Sequence, residues 1–168
     1  MPTALTGRVP FLACFIICAT LLGYGYYLQF VEHLDPCPLC IFQRVAYMAI
    51  GAIGLLAAVH GAGRRVYGGL IGLAAIIGFG IAGRQVWLQH LPPDQVPECG
   101  PGLEFMLQIY SFNEVLREAF TGSGECANVD WRFLGLSIAE WSLLWFAAFI
   151  VLAAVIVLTR ARNRGESS

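Results

Sequence analysis

The chain has 168 residues, 58% of them hydrophobic and only 12% charged, with a mean hydropathy of +0.69. That is too apolar for a soluble domain of ordinary composition and predicts one integral membrane domain over residues 1–168. The net charge of −1, from ten arginines, no lysine and eleven acids, says nothing about partners taken as a whole, and the placement of the charges is more informative; no nucleic-acid partner is expected.

Residues 1–10 carry a single charge, Arg8, and residues 11–30 carry none. Twenty apolar residues at about 1.5 Å each cross a hydrocarbon layer of about 30 Å, so this run is read as a first membrane helix. A signal peptide fits worse, because the run is too long for an h-region and no small-x-small site precedes Glu32. Cys14 and Cys18 lie on one face of this helix and are expected to be small buried side chains rather than a metal or redox pair.

A short polar link then leads to Asp35-Pro36-Cys37-Pro38-Leu39-Cys40-Ile41-Phe42-Gln43-Arg44. Asp35 reads as an N-cap, with both prolines tolerated in a first turn, which would set Cys37 and Cys40 in the opening turn of a helix. The positive end of the helix dipole and Arg44, one turn beyond Cys40, would both favour a thiolate there. By itself a C-x-x-C pair is a weak motif, and a structural disulfide or two inert thiols are equally compatible with it.

The second helix is expected over residues 43–63, with His60 near its end, followed by a basic turn at Gly61-Ala62-Gly63-Arg64-Arg65. The third, over residues 66–88, is rich in glycine, and the Gly68/Gly72 spacing permits close helix contact in lipid. Residues 89–135 form the one long polar segment. Around Pro92-Pro93-Asp94 and Pro97-Glu98-Cys99-Gly100-Pro101-Gly102 it reads as irregular backbone. Ser111-Phe112-Asn113-Glu114 has the form of a capping box, opening a short amphipathic helix on the membrane surface or against the protein. The fourth membrane helix is expected over residues 136–159, with Trp141, Trp145 and Glu140 toward an interface.

Four crossings put the N-terminus, the 61–65 turn and the C-terminus on one side. Those segments hold Arg8, Arg64, Arg65, Arg160, Arg162 and Arg164 with Glu166 as their only acid, while the other side holds ten of the eleven acids. The positive-inside rule then makes the loops at 31–42 and 89–135 extracytoplasmic. Cys37, Cys40, Cys99 and Cys126 thereby share one oxidising compartment. A static Cys99–Cys126 bridge would close a loop of about 28 residues and contribute about 3.5 kcal/mol. Two disulfides within reach of each other can instead exchange, moving an electron pair from loop to membrane. The cysteine spacing fits neither a zinc ribbon nor c-type haem, and no Gly-rich nucleotide fingerprint follows a strand.

Cys37-Pro38-Leu39-Cys40 with Arg44, four spans, Cys99 and Cys126 in the second outer loop, Trp87-Leu88-Gln89, Gly122-Ser123-Gly124-Glu125-Cys126 and Trp131-Arg132-Phe133-Leu134-Gly135-Leu136 together resemble the DsbB family. The resemblance implies an all-α four-helix membrane bundle in the bacterial inner membrane, with cytoplasmic termini and periplasmic catalytic loops. It implies an enzyme that reoxidises a periplasmic, thioredoxin-fold oxidase of the DsbA type and passes the electrons to membrane quinone, ubiquinone or menaquinone. By position, Cys99 would take the mixed disulfide with the partner, Cys126 would be its exchange mate, and Cys37 would connect that pair to Cys40. Cys40 would meet the quinone ring, with Arg44 bonded to a quinone oxygen. Some members carry a histidine near the outer end of the third helix. Gln85 stands there in this chain, as a quinone donor or an interfacial polar residue, with Arg84 and His90 as neighbouring substitutes. The remaining readings are a quinone-coupled enzyme with a dedicated partner or of vitamin K epoxide reductase type, and a soft-metal carrier using Cys14/Cys18 and Cys37/Cys40.

Overall fold

A computed structural model describes residues 7–92, 95, 126, 127, 129 and 131–165, with side chains up to 159. Cys99, the capping box at Ser111 and the amphipathic helix expected after it lie outside the described residues. Among the described residues four helices are each long and apolar enough to cross a membrane. They are α1 (Val9–Phe30), α2 (Pro38–His60), α3 (Arg64–Gln89) and α4 (Ile138–Gly165), the last preceded by the paired strands β1 (Arg132–Phe133) and β2 (Leu136–Ser137). The architecture is the expected four-helix membrane bundle. Large apolar side chains such as Leu12, Ile16, Leu73, Ile76 and Val151 face outward, where only lipid can receive them.

The helix starts differ from expectation for local reasons. Asp35 is not the cap of α2; Cys37 is, with an extended backbone (φ −64, ψ 161), and Pro38 is the first helical residue. A residue before proline is pushed out of the helical region, so Cys37 stands outside the helix and only Cys40 lies in its first turn. At the other end Gly61 and Gly63 both adopt left-handed backbone (φ 65 and 68), which stops α2 at His60 rather than 63. Arg64 then opens α3 two residues earlier than expected.

Residues 136 and 137 are strand, not helix. Leu134 (φ 52) and Gly135 (φ 84) make a two-residue turn with both angles positive, the geometry that matches the twist of paired strands. Ser137 then caps α4: its Oγ accepts from Glu140 N (3.3 Å), and Glu140 Oε2 accepts from Ser137 N (2.7 Å). This reciprocal capping box holds Glu140 at the helix start.

Small residues set the helix contacts. Cys14 and Cys18, both fully buried, face Gly54 and Gly51; a Cβ on either glycine would come within 3.3 and 3.2 Å of their own Cβ atoms. Both thiols therefore serve packing between α1 and α2, away from Cys37 and Cys40. The buried stripe of α3 includes Gly68, Ile71, Ala75, Gly78, Ala82 and Gln85, spaced three or four residues apart. Gly68 lies against Ile156, Gly72 against Ala153 and Gly78 against the ring of Phe146, all on α4. Neighbours pack closely in the order α1, α2, α3, α4, whereas α1 and α4 barely touch. That missing contact leaves room for a cavity.

One end of the bundle is tied by arginine. Arg64 Nη1 donates to Gly7 O (3.3 Å), Arg8 lies against Gly61, and His60 pairs with the Tyr67 hydroxyl. The other end carries the 31–37 link and the β1–β2 hairpin.

Candidate redox site

At the hairpin end a cavity of about 300 Å³ opens between α1 and α4, floored by the beginning of α2 and the end of α3. Its walls are mostly apolar or aromatic, including Leu21, Leu28, Tyr24, Trp141 and Trp145, with Cys37, Cys40, Gln43, Arg44, Gln85 and Gln89 supplying polar atoms. The hairpin forms part of the rim. Trp131 and Phe133 line the cavity, Trp131 packs edge-on to Tyr24 (5.8 Å), and Trp141 Nε1 donates to Phe133 O (3.1 Å). Ser137 Oγ donates to Gln89 Oε1 (2.8 Å), which joins the hairpin to the end of α3.

Three of the four loop cysteines come together here. The sulfurs of Cys37 and Cys40 are 3.0 Å apart, because an extended residue followed by one helical turn brings positions 37 and 40 onto the same side. Cys126, fully buried, hydrogen-bonds Cys37, although the two are far apart in the chain. Cys37 thus stands between the other two sulfurs. Hydrogen bonding to Cys126 and then to Cys40, with burial in support, pushes the Cys37 thiol far above the ordinary thiol range, so it keeps its proton. Among the described residues Cys14, Cys18, Cys37 and Cys40 are free thiols.

Arg44 lines the cavity from one turn below Cys40. Its guanidinium donates to Gln29 Oε1 and to Gly25 O (3.1 Å) and lies over the Tyr26 ring at 5.0 Å. It also packs beside Gly25, where a Cβ would lie 3.7 Å from the guanidinium, an ordinary van der Waals distance. With five N–H donors, an arginine so anchored still has others for a ligand.

Gln85 is 3% exposed and lies in the core, not at an interface. Its Nε2 is 3.2 Å from Cys40 Sγ and 3.4 Å from Cys37 Sγ. Neither proposed substitute lines the cavity. Arg84 stacks on Trp87 (4.3 Å), and His90 Nδ1 bonds Val86 O (2.8 Å) on the helix's own end. Sequence reasoning missed Gln43, which is buried and bonded to Gln85; its one legible signal was a polar side chain one turn from Cys40 on an otherwise apolar helix face. Among the described residues no three His, Cys, Asp or Glu side chains come together as metal ligands.

The cysteine arrangement suits thiol–disulfide exchange along a line of sulfurs, and the cavity suits a flat apolar ligand with a few polar atoms. A family model described as "Disulfide bond formation protein DsbB" matches residues 7–156. "Disulfide bond formation protein B" of Azoarcus sp. (strain BH72) is 50% identical over 156 residues, 91% of this chain and 93% of the relative. The protein of the same name from Hahella chejuensis (strain KCTC 2396) is 47% identical over 165 residues, 96% of this chain and 100% of its own. That of Nitrosococcus oceani is 49% identical over 164 residues, 96% and 95% of the two chains. With this likeness extending over all four spans and the cysteine site, the chain belongs to the disulfide bond formation protein B family, DsbB.

Proposed function

We propose that this protein is a thiol:quinone oxidoreductase of the bacterial inner membrane, oxidising a periplasmic dithiol oxidase of the DsbA type and delivering two electrons to membrane quinone. The observation that carries the reading is the position of Cys37, bonded to Cys126 on one side and Cys40 on the other, at the edge of an apolar cavity.

The partner's dithiol opens a Cys99–Cys126 disulfide, with Cys99 taking the mixed disulfide. Cys126, released as a thiolate, attacks Cys37 and breaks a Cys37–Cys40 disulfide, leaving the charge on Cys40. Cys99, freed as the partner closes its own disulfide, then attacks Cys126 and displaces Cys37, which takes up a proton. The net transfer is two electrons from partner dithiol to the Cys37/Cys40 pair. A thiol at Cys37 that holds its proton leaves Cys40 as the sulfur able to carry negative charge next to the cavity. Quinone, when bound, supplies the two-electron acceptor that returns this pair to a disulfide.

The residues present fit that group. The cavity offers aromatic and aliphatic walls for a ring, and Arg44 offers N–H donors where oxygen charge develops. A DsbA-type disulfide near −120 mV is unusually oxidising, so the terminal acceptor has to be more oxidising still. The soft-metal reading loses its main support because Cys14 and Cys18 face Gly54 and Gly51, not the Cys37/Cys40 pair.

Mixing purified protein with a reduced DsbA-type partner and a quinone analogue tests the proposal. Partner thiols and quinone absorbance are expected to disappear together, one quinone per dithiol; thiol loss without quinone loss, or neither, would overturn it. Arg44→Ala is expected to raise the KM for the quinone analogue about tenfold or more, the effect of losing a charge-assisted hydrogen bond, while the KM for the partner changes little. Equal changes in both would contradict the assigned role of Arg44.

A further inference from the structure

We infer that Gln85 serves the sulfurs rather than the quinone, and that Gln43 is a positioning residue that holds the Gln85 amide with its N–H₂ group toward Cys37 and Cys40. This rests on the redox reading above, but assigns a task to two buried amides that it leaves without one. Gln85 Nε2 lies 3.2 Å from Cys40 Sγ and 3.4 Å from Cys37 Sγ, while its oxygen is farther from Cys40, at 3.6 Å. That oxygen accepts from Gln43 Nε2 at 2.6 Å. Both side chains are 3% exposed, so neither bond competes with bulk water.

An amide can point either end at a sulfur, and the choice matters once the sulfur is negative. With nitrogen inward, two N–H donors are available to the charge; with oxygen inward, lone pairs would oppose it. Gln43 decides the matter by donating to Gln85 Oε1, an interaction that the reversed amide would lose. The two helices are placed for this. Gln43 lies one turn beyond Cys40 on α2, and Gln85 lies in the buried stripe of α3, one turn before its last buried residue, Leu88.

A donor aimed at a thiolate stabilises the reduced pair more than the disulfide, whose sulfurs are neutral and weak acceptors. Reduction by dithiothreitol breaks the Cys37–Cys40 bond and delivers two electrons, leaving a thiol at Cys37 and a thiolate at Cys40; dithiothreitol becomes its cyclic disulfide, one of its protons going to Cys37 and the other to solvent. Gln85 therefore makes the pair easier to reduce and hence a better acceptor of electrons from Cys126.

The test is the redox equilibrium of the full chain in detergent against dithiothreitol buffers, read at Cys37 and Cys40 by differential alkylation and peptide mass spectrometry. It needs no quinone, so its failure is distinguishable from failure of the quinone reading. Gln85→Met, close in volume, is expected to shift the equilibrium about tenfold toward the disulfide, equivalent to about 30 mV, and to change the KM for a quinone analogue far less than Arg44→Ala does. Gln85→Leu is the second variant should the first insert poorly. Gln43→Met is expected to shift the equilibrium in the same direction, and the double variant to equal Gln85→Met alone, because Gln43 acts through Gln85. An unchanged equilibrium with a raised quinone KM would return Gln85 to the quinone. Additive shifts in the double variant would overturn the positioning role of Gln43.

Discussion

Cys40→Ser is expected to lower quinone reduction by reduced partner about a thousandfold or more, since a serine oxygen can neither form the disulfide with Cys37 nor leave as a stable anion. The protein should still insert and fold. Cys40 is only partly buried and makes its contacts at the cavity edge, so its replacement by a slightly smaller group leaves the helix packing of α1, α3 and α4 untouched. One round of exchange is also expected to survive: Cys126 can still be reduced by the partner while the quinone absorbance stays flat. Stopped-flow absorbance together with thiol counting after a single turnover separates those two events. Retained quinone turnover in this variant would remove Cys40 from the path.

Gly78→Leu is expected to prevent the bundle from assembling, and Gly78→Ala to cost about 3 kcal/mol or more, at the upper end of overpacking effects. A Cβ at position 78 would lie 2.4 to 2.7 Å from three ring atoms of Phe146. That ring has nowhere to move: it is fully buried and stacked on Tyr47 at a centroid distance of 4.4 Å. Tyr47 in turn lines the cavity, so forcing α3 from α4 would distort the redox site as well. Thermal unfolding can be followed with a thiol-reactive dye, because Cys14 and Cys18 are fully buried and become reactive when the helices separate. An Ala variant melting within a degree or two of the parent would mean that the α3–α4 contact is looser than described.

Much of this was legible in the chain and some of it was not, for reasons that can be named. Four apolar runs give four spans because backbone groups in lipid must be satisfied within the segment, and that constraint leaves little freedom. Cys37 and Cys40 were recognisable from spacing, and their approach to 3.0 Å needs only one turn of helix. Pro38 carried the information that Cys37 caps rather than joins α2, but Asp35 competed for that role as the better capping residue. Ser137 and Glu140 also form a legible capping box, masked by the apolar residues on either side, which suggested that the helix began at 136. The Leu134-Gly135 turn lacks the usual asparagine or aspartate, so the hairpin had a weak signal.

What periodicity does not reveal is rotation of one helix relative to another. Gln43 and Gln85 are 42 residues apart and meet only because α2 and α3 turn those faces together. Gln85 read equally well as an interfacial residue, since a lone polar side chain near a helix end usually finds water. The contact of Cys126 with Cys37 depends on the fold of a long polar segment, and the cavity depends on α1 and α4 failing to meet. Neither is a property of any single stretch of sequence.

Cys37 is the proposed sulfur through which Cys126 and Cys40 communicate. In a chain carrying both Cys40→Ser and Cys99→Ser, neither Cys37 nor Cys126 has its proposed disulfide partner, and the two sulfurs are expected to stay in contact. Mild oxidation followed by mass spectrometry of non-reduced peptides is predicted to recover the peptides of Cys37 and Cys126 joined by a disulfide in most molecules. Recovery of both cysteines as free thiols under the same oxidant would contradict the account.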